Sequence, residues 1–299
     1  MTLSGSGFYS ERSVDSSRVL ASTESTVTTS DTRSEVTGFS GRAELELTPQ
    51  WYLSLSGTRS EVANHEVLRS FVTADPIPTI SDFTSTLSSF DARLNGDMFQ
   101  LPGGRVQAAA GVQLRNETFD FQTRGAAKSR EGERDVLAVY GEVQVPLIGP
   151  DNQMPGIHRL ELNLSGRVDD YSDFGTSSNP KVGLLYSPGG DLRFRGSWST
   201  SFAPPALGRS GAIDRTGSVF PYAFILSRLG YPLPDPSLAN VNYLVTGGTA
   251  ADLEPETSRT FTLGVDHAVS RGRHDFTLSG SYYDIDFEGR LGTTPIPGN

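Results

Sequence analysis

What most constrains this chain is a period of two. Leu160, Leu162, Leu164 and Val168 alternate with Glu161, Asn163, Ser165, Arg167 and Asp169, and Val106, Ala108, Ala110, Val112 and Leu114 oppose Gln107, Gln113 and Arg115 in the same way. Successive side chains of a strand point to opposite faces, so this pattern makes a sheet with one dry face and one strongly polar face. Helical periodicity is nearly absent. The reading is all-β.

About ten strands follow from the pattern, bounded by Gly, Pro, Asn, Asp and Ser clusters. They are Arg42 to Leu47, Trp51 to Arg59, Ser89 to Phe99, Arg105 to Thr118, Asp135 to Val145, Arg159 to Asp169, Lys181 to Ser187, Leu192 to Phe202, Thr257 to His267 and His274 to Ile285. Another is expected near Leu3 to Ser10. No run of about 18 apolar residues occurs, so no transmembrane helix is present; that closes only the helical route across a bilayer.

A soluble sandwich or propeller would alternate in the same way with its apolar face turned to a core. The connections add information. Short ones (Thr48 to Gln50, Gln100 to Gly104, Pro188 to Asp191, Ala268 to Arg273) alternate roughly with long ones rich in Ser, Thr, Gly, Asp and Pro, at approximately 60–88, 119–134, 170–180 and 203–256. A barrel that crosses a membrane up and down has this asymmetry, with tight turns on one rim and recognition loops on the other. About ten residues at 3.3 Å each, tilted near 45°, climb roughly 23 Å, close to the lipid band of such barrels. Trp51 and Tyr186 lie beside tight turns while Trp198, Phe202 and Tyr282 lie toward the opposite ends, which suits two aromatic girdles or merely the abundance of aromatics in strands. In this architecture Arg115, Glu161, Arg167, Arg193 and Arg195 face a lumen that holds water or a folded plug, and the dry face looks at lipid.

Charge and composition remove other functions. With 35 acidic against 25 basic residues the net charge is −10, which disfavours nucleic acid as a partner. There is no cysteine and the four histidines are scattered, so neither a disulfide framework nor a metal site is expected, and no cofactor. Gly5 to Gly7 and Pro188 to Gly190 read as turns, not phosphate loops, and no nucleophile elbow is present. Asp169, Asp170 and Asp173 either bind calcium or solvate a turn; their spacing matches no calcium loop. Asn116-Glu117-Thr118 is formally a glycosylation sequon, of a kind that arises by chance.

Several segments then resemble a known family, the TonB-dependent outer-membrane receptors. "LRFRGSWSTSFAPPAL", Leu192 to Leu207, is similar to the family's aromatic strand ending in Ser-Phe-Arg-Ala-Pro, a small residue and Leu, which Trp198, Phe202, Pro205 and Leu207 carry here. "FQLPGGRVQAAAGVQLRNE", "VYGEVQVPLIG" and "LELNLSGRVDDYSDFGTSSNPKVGLLYSP" resemble successive barrel segments, and "LEPETSRTFTLGVD" resembles the Leu-x-Pro-Glu-x-Ser re-entry, with Pro255 and Glu256 in place. They occur in family order from Phe99 to about Phe287. Ala203 and Pro204 depart from the motif's arginine and alanine.

The resemblance implies an antiparallel up-and-down transmembrane β-barrel, partial here, with about 10 or 11 of some 22 strands. The N-terminus carries neither a basic region nor an apolar core, and no plug domain, TonB-contacting box or C-terminal aromatic strand is seen, so an internal piece of a receptor barrel over 1–299 is expected. The resemblance further implies a Gram-negative outer membrane, capture of a scarce solute of the siderophore, cobalamin or oligosaccharide class, import with energy relayed by the TonB complex through a plug, and no covalent chemistry. Its partners would be outer-membrane lipid and a small solute such as a metal chelate or oligosaccharide. A passive porin or an autotransporter barrel shares the wall architecture, and an upstream plug-like domain separates them. In the outer loop Phe220, Tyr222, Phe224, Tyr231 and Tyr243 either form a recognition surface or pack the loop on itself, and Tyr222 to Gly230 is read as a short helix.

Overall fold

The computed structural model describes residues 1–20, 26–71, 78–124, 128–207, 216–247 and 253–290. Eleven strands of the described residues form one antiparallel sheet in which each pairs with its neighbour in the chain: β1 (Thr2–Leu20), β2 (Thr26–Thr48), β3 (Trp51–Phe71), β4 (Thr79–Leu101), β5 (Gly104–Arg124), β6 (Lys128–Ile148), β7 (Arg159–Tyr171), β8 (Gly175–Ser187) and β9 (Leu192–Ala203), followed after an insertion by β12 (Glu256–Arg271) and β13 (His274–Glu288). The insertion carries a hairpin of β10 (Thr216–Pro221) and β11 (Asn242–Gly247) around a helix, α1 (Tyr222–Leu229). The chain divides into two compact units, Met1–Gly208 with Glu254–Asn299, and Arg209–Leu253.

Every strand expected from alternation is present, but most run further. The segment 60–88 is mostly the ends of β3 and β4, 119–134 is mostly the ends of β5 and β6, and 170–180 contains only the turn 172–174 between β7 and β8. Most residues of these three segments are therefore corrected from loop to strand. Ser, Thr, Asp and Gly made the segments look like loops; a backbone ladder, however, does not depend on side-chain polarity, and the pairs Thr86↔Thr118 and Asp120↔Glu131 continue it.

The other rim is tight. Pro49-Gln50, Pro102-Gly103, Pro188 to Asp191 and Gly272-Arg273 connect neighbours there, with a longer stretch, 149–158, between β6 and β7. At Gly103 any Cβ would collide with the Pro146 carbonyl, so only glycine lets this turn lie against the end of β6.

The sheet has almost no core of its own. Val139 is 57 % exposed, Leu114 53 % and Leu263 50 %, all on the apolar face. A sandwich would cover these residues with a second sheet; among the described residues the only other sheet is the β10–β11 hairpin. The apolar face needs hydrocarbon as its solvent.

Its limits give the strand tilt. Toward the loop rim the face turns polar after Phe90, Leu114 and Leu137, which share one register, whereas on β9 and β12 it does so after Trp198 and Phe261, in the register of Val143. The border thus drops by about six residues, roughly 20 Å, while crossing four strand spacings, roughly 19 Å, a tilt near 45°. At that tilt Trp51 and Trp198, in one register six strands apart, sit about 20 Å apart in height, which places them at opposite borders of the belt.

Candidate functional site

Two regions hold the polar chemistry: the second face of the sheet and the insertion. On the polar face of β4–β7 the side chains satisfy one another. Tyr140 Oη donates to the Asp91 carboxylate at 2.9 Å, and the Arg167 guanidinium lies over the Tyr140 ring at 5.8 Å. Arg167 also donates to Gln113 at 2.7 Å and pairs with Asp169 at 2.8 Å, which keeps the Asp169 carboxylate, 2 % exposed, compensated. Arg115 donates to Tyr171 Oη at 3.2 Å and pairs with Glu117 at 2.8 Å. Closer to the tight turns a recess of about 480 Å³ is lined by Arg93, Asn95, Asp97, Gln107, Glu142 and Gln144.

Arg115, Glu161, Arg167, Arg193 and Arg195 share the strand parity of this face. Arg115 and Arg167 join the network just described; Glu161 takes Gln144 at 3.2 Å and Arg159 at 2.6 Å, and Arg195 pairs with Asp266 at 2.9 Å. Arg193 stands opposite Asp266 in register. The aspartates weighed as a calcium site are spent elsewhere: Asp169 on Arg167, Asp173 on Arg134, and Asp170 as acceptor from Thr176.

At the loop rim sits a cluster that alternation did not reveal. Arg134 is 2 % exposed. Its Nε and Nη2 donate to Asp173 at 2.9 and 2.6 Å, Nη2 also to the Pro205 carbonyl at 2.9 Å, and Nη1 to Glu117 at 3.5 Å. The guanidinium lies 5.4 Å from the Phe174 ring centre and 5.8 Å from that of Tyr171. Arg134 fell at the end of a segment read as loop; extending the alternation back from Tyr140 through Ala138 and Val136 would have put it on the polar face. Phe202 joins this cluster, its ring 5.4 Å from Tyr171 and 6.1 Å from Phe174. Its assignment to a lipid-facing girdle is therefore corrected. The β8–β9 ladder stops at Lys181↔Ser199, which leaves the end of β9 free to turn the ring toward Tyr171. Trp198 keeps its place on the apolar face.

The insertion is a small unit built on aromatics. Phe220 stacks on Phe224 at 5.2 Å and Tyr222 packs on Tyr243 at 4.8 Å. Helix α1 forms where it was expected and ends at Gly230, whose φ of 74° a side-chain-bearing residue rarely adopts. Asp235 accepts from the Ser237 amide at 2.8 Å, and that backbone bond, then the side-chain bond to Ser237, holds its carboxyl below the usual range. Phe220 and Tyr222 are half-buried, whereas Tyr231 is 60 %, Tyr243 43 % and Phe224 42 % exposed. The five aromatics thus divide between packing and display.

A two-faced, tilted, up-and-down wall with tight turns on one rim is the arrangement expected of an outer-membrane barrel. The family model for the TonB dependent receptor-like β-barrel matches residues 2–299. The chain belongs to this family. Its wall is a partial transmembrane barrel, the apolar face lipid-directed and the polar face lining the lumen. Among solved structures it is similar to a chain of the RagAB peptide transporter, with 13 % identity and a TM-score of 0.60 over 90 % of this chain and 32 % of that one. It is also similar to a point mutant of the ferric enterobactin receptor PfeA of Pseudomonas aeruginosa in complex with enterobactin, with 11 % identity and a TM-score of 0.52 over 98 % of this chain and 55 % of that one. At such identities the likeness is one of fold. The chain spans about a third to just over half the length of these relatives. No curated protein sequence matches it.

Proposed function

We propose that this chain is wall and outer-rim insertion of an outer-membrane receptor that captures a scarce solute of the siderophore, cobalamin or oligosaccharide class and imports it with energy relayed by the TonB complex. The observation that carries the reading is the family match over residues 2–299, beside the two-faced sheet of the described strands. In this reading the protein performs no covalent chemistry. Lipid solvates the apolar face, and a plug domain meets the polar face, where Arg93, Arg193 and the recess between Asn95 and Gln144 offer donors and acceptors. Phe224, Tyr231 and Tyr243 give the solute flat contact area at small entropic cost. Trp198, Phe202, Pro205, Leu207, Pro255 and Glu256 frame the exit and re-entry of the insertion.

The test is uptake by cells carrying or lacking the full-length protein, with labelled ferric chelates, cobalamin and oligosaccharides, in the presence and absence of TonB. Uptake of one class that requires both is the expected result. Uptake that persists without TonB assigns the wall to a passive pore, and no difference for any solute overturns the reading.

A further inference from the structure

We propose that Arg134 is a positioning residue, a clasp that fixes the root of the outer insertion, Ala203 to Leu207, to β6. Beyond Ala203 the described residues of the root belong to no sheet ladder. The β9–β12 pairing ends at Ala203↔Glu256, and Pro204 and Pro205 bring no amide hydrogens that could extend it. What holds it is β6. The Pro205 carbonyl accepts from Arg134 Nη2 at 2.9 Å, and Pro205 is itself among the most buried side chains. Two residues along, on the same face of β6, a Cβ on Gly132 would lie 3.1 Å from Leu207 Cγ, so the glycine forms a seat for that leucine. Root and strand meet at two successive polar-face positions.

The guanidinium is built for holding, not for capture. It takes acceptors from three separate places, Glu117 on β5, Asp173 in the β7–β8 turn and Pro205 in the root, and at 2 % exposure it presents no edge to a solute. A neutral group cannot replace it without leaving the Pro205 carbonyl and the Asp173 carboxylate without their shared donor.

The test uses the full-length protein in membrane vesicles and reads amide exchange at Ala206 and at Leu207. Arg134→Met is expected to accelerate both by about ten- to a hundredfold. In a full-length background with any other cysteine replaced, Gly132→Cys with Leu207→Cys adds a controllable bridge, and its oxidation in the Arg134→Met background is expected to restore both rates, with reduction releasing them again. Unchanged rates in Arg134→Met overturn the proposal. So does acceleration spread evenly along β6 and β7 that the bridge does not reverse, because that marks a general loss of wall stability. The effect on uptake rests on the receptor reading and is read separately: if the bridge restores root protection but uptake never depended on it, the clasp stands and the assignment of solute capture to the insertion falls.

Discussion

The strands from β2 to β6 are 21 to 23 residues long and those from β7 to β9 only 12 or 13, although they belong to one sheet. Their apolar belts are much closer in length. On β6 the lipid-directed positions run from Leu137 to Leu147 and on β7 from Leu160 to Val168, while Asp135 and Asp170 mark where each belt ends. The tall wall therefore differs in what stands beyond the membrane. There the lipid-directed parity carries ion pairs and polar contacts such as Arg33 with Glu11 and Glu35, His65 with Asp82, and Asn116 with Glu133 and Asp135. Hydrocarbon thickness dictates the belt; the ladder above it is free to be any height, since water accepts polar side chains on either face.

The step from tall to low wall is also where the rim cluster forms. β6 rises beside the β7–β8 turn, and Arg134, just above its belt, reaches both that turn and the segment leaving β9. Exposed pairs of the tall wall and the buried pair at the step thus have different energetic meaning.

The comparison breaks most severely if charge enters the belt. Val143→Arg, at the middle of the β6 belt, is expected in the full-length protein to cost about 2–4 kcal/mol in folding into lipid vesicles, whereas Asp135→Arg, eight residues away on the same parity and just beyond the belt's end at Leu137, costs about 0–1 kcal/mol. Equal costs would show that the border is misplaced. At the step, Asp173→Ala strips the buried guanidinium of its main partner and should cost about 2 kcal/mol, less than a fully buried pair because the Asp173 side chain is 23 % exposed. Arg33→Ala on the tall wall, where the side chain is 55 % exposed, should cost about 0.5 kcal/mol or less in the same denaturation assay. Next, Gly175→Ala forces a Cβ onto a φ of 90° in the β7–β8 turn; a loss of about 1–2 kcal/mol is expected, read from the unfolding midpoint. Height itself should also matter little. Removing residues 121–130 and closing the β5–β6 hairpin with a two-residue turn should change stability by about 1 kcal/mol or less and leave vesicle insertion intact. Failure to insert would mean that the tall ladder takes part in crossing.

Much of this was legible in the amino-acid order. Alternation gave the strands and the two faces, and the family resemblance gave the up-and-down order; Trp51 and Trp198 were compatible with two borders. Strand ends were not legible, because Ser, Thr and Asp serve equally well in loops and in a water-facing ladder, so three segments read as loops were largely strand. The insertion was recognised for its aromatics, yet which of them are displayed depended on the pairings Phe220–Phe224 and Tyr222–Tyr243, whose partners lie 4 and 21 positions apart.

The sequence by itself determined that this chain forms a sheet with one apolar and one polar face, because successive side chains of a strand point to opposite sides. Only the tertiary structure decided the tilt, the height of each strand and the rim cluster. Register across many strands sets the first. Pairing between distant segments sets the second. The third arises because Arg134, Asp173 and Pro205, far apart in the chain, become neighbours only once tall and low strands stand side by side.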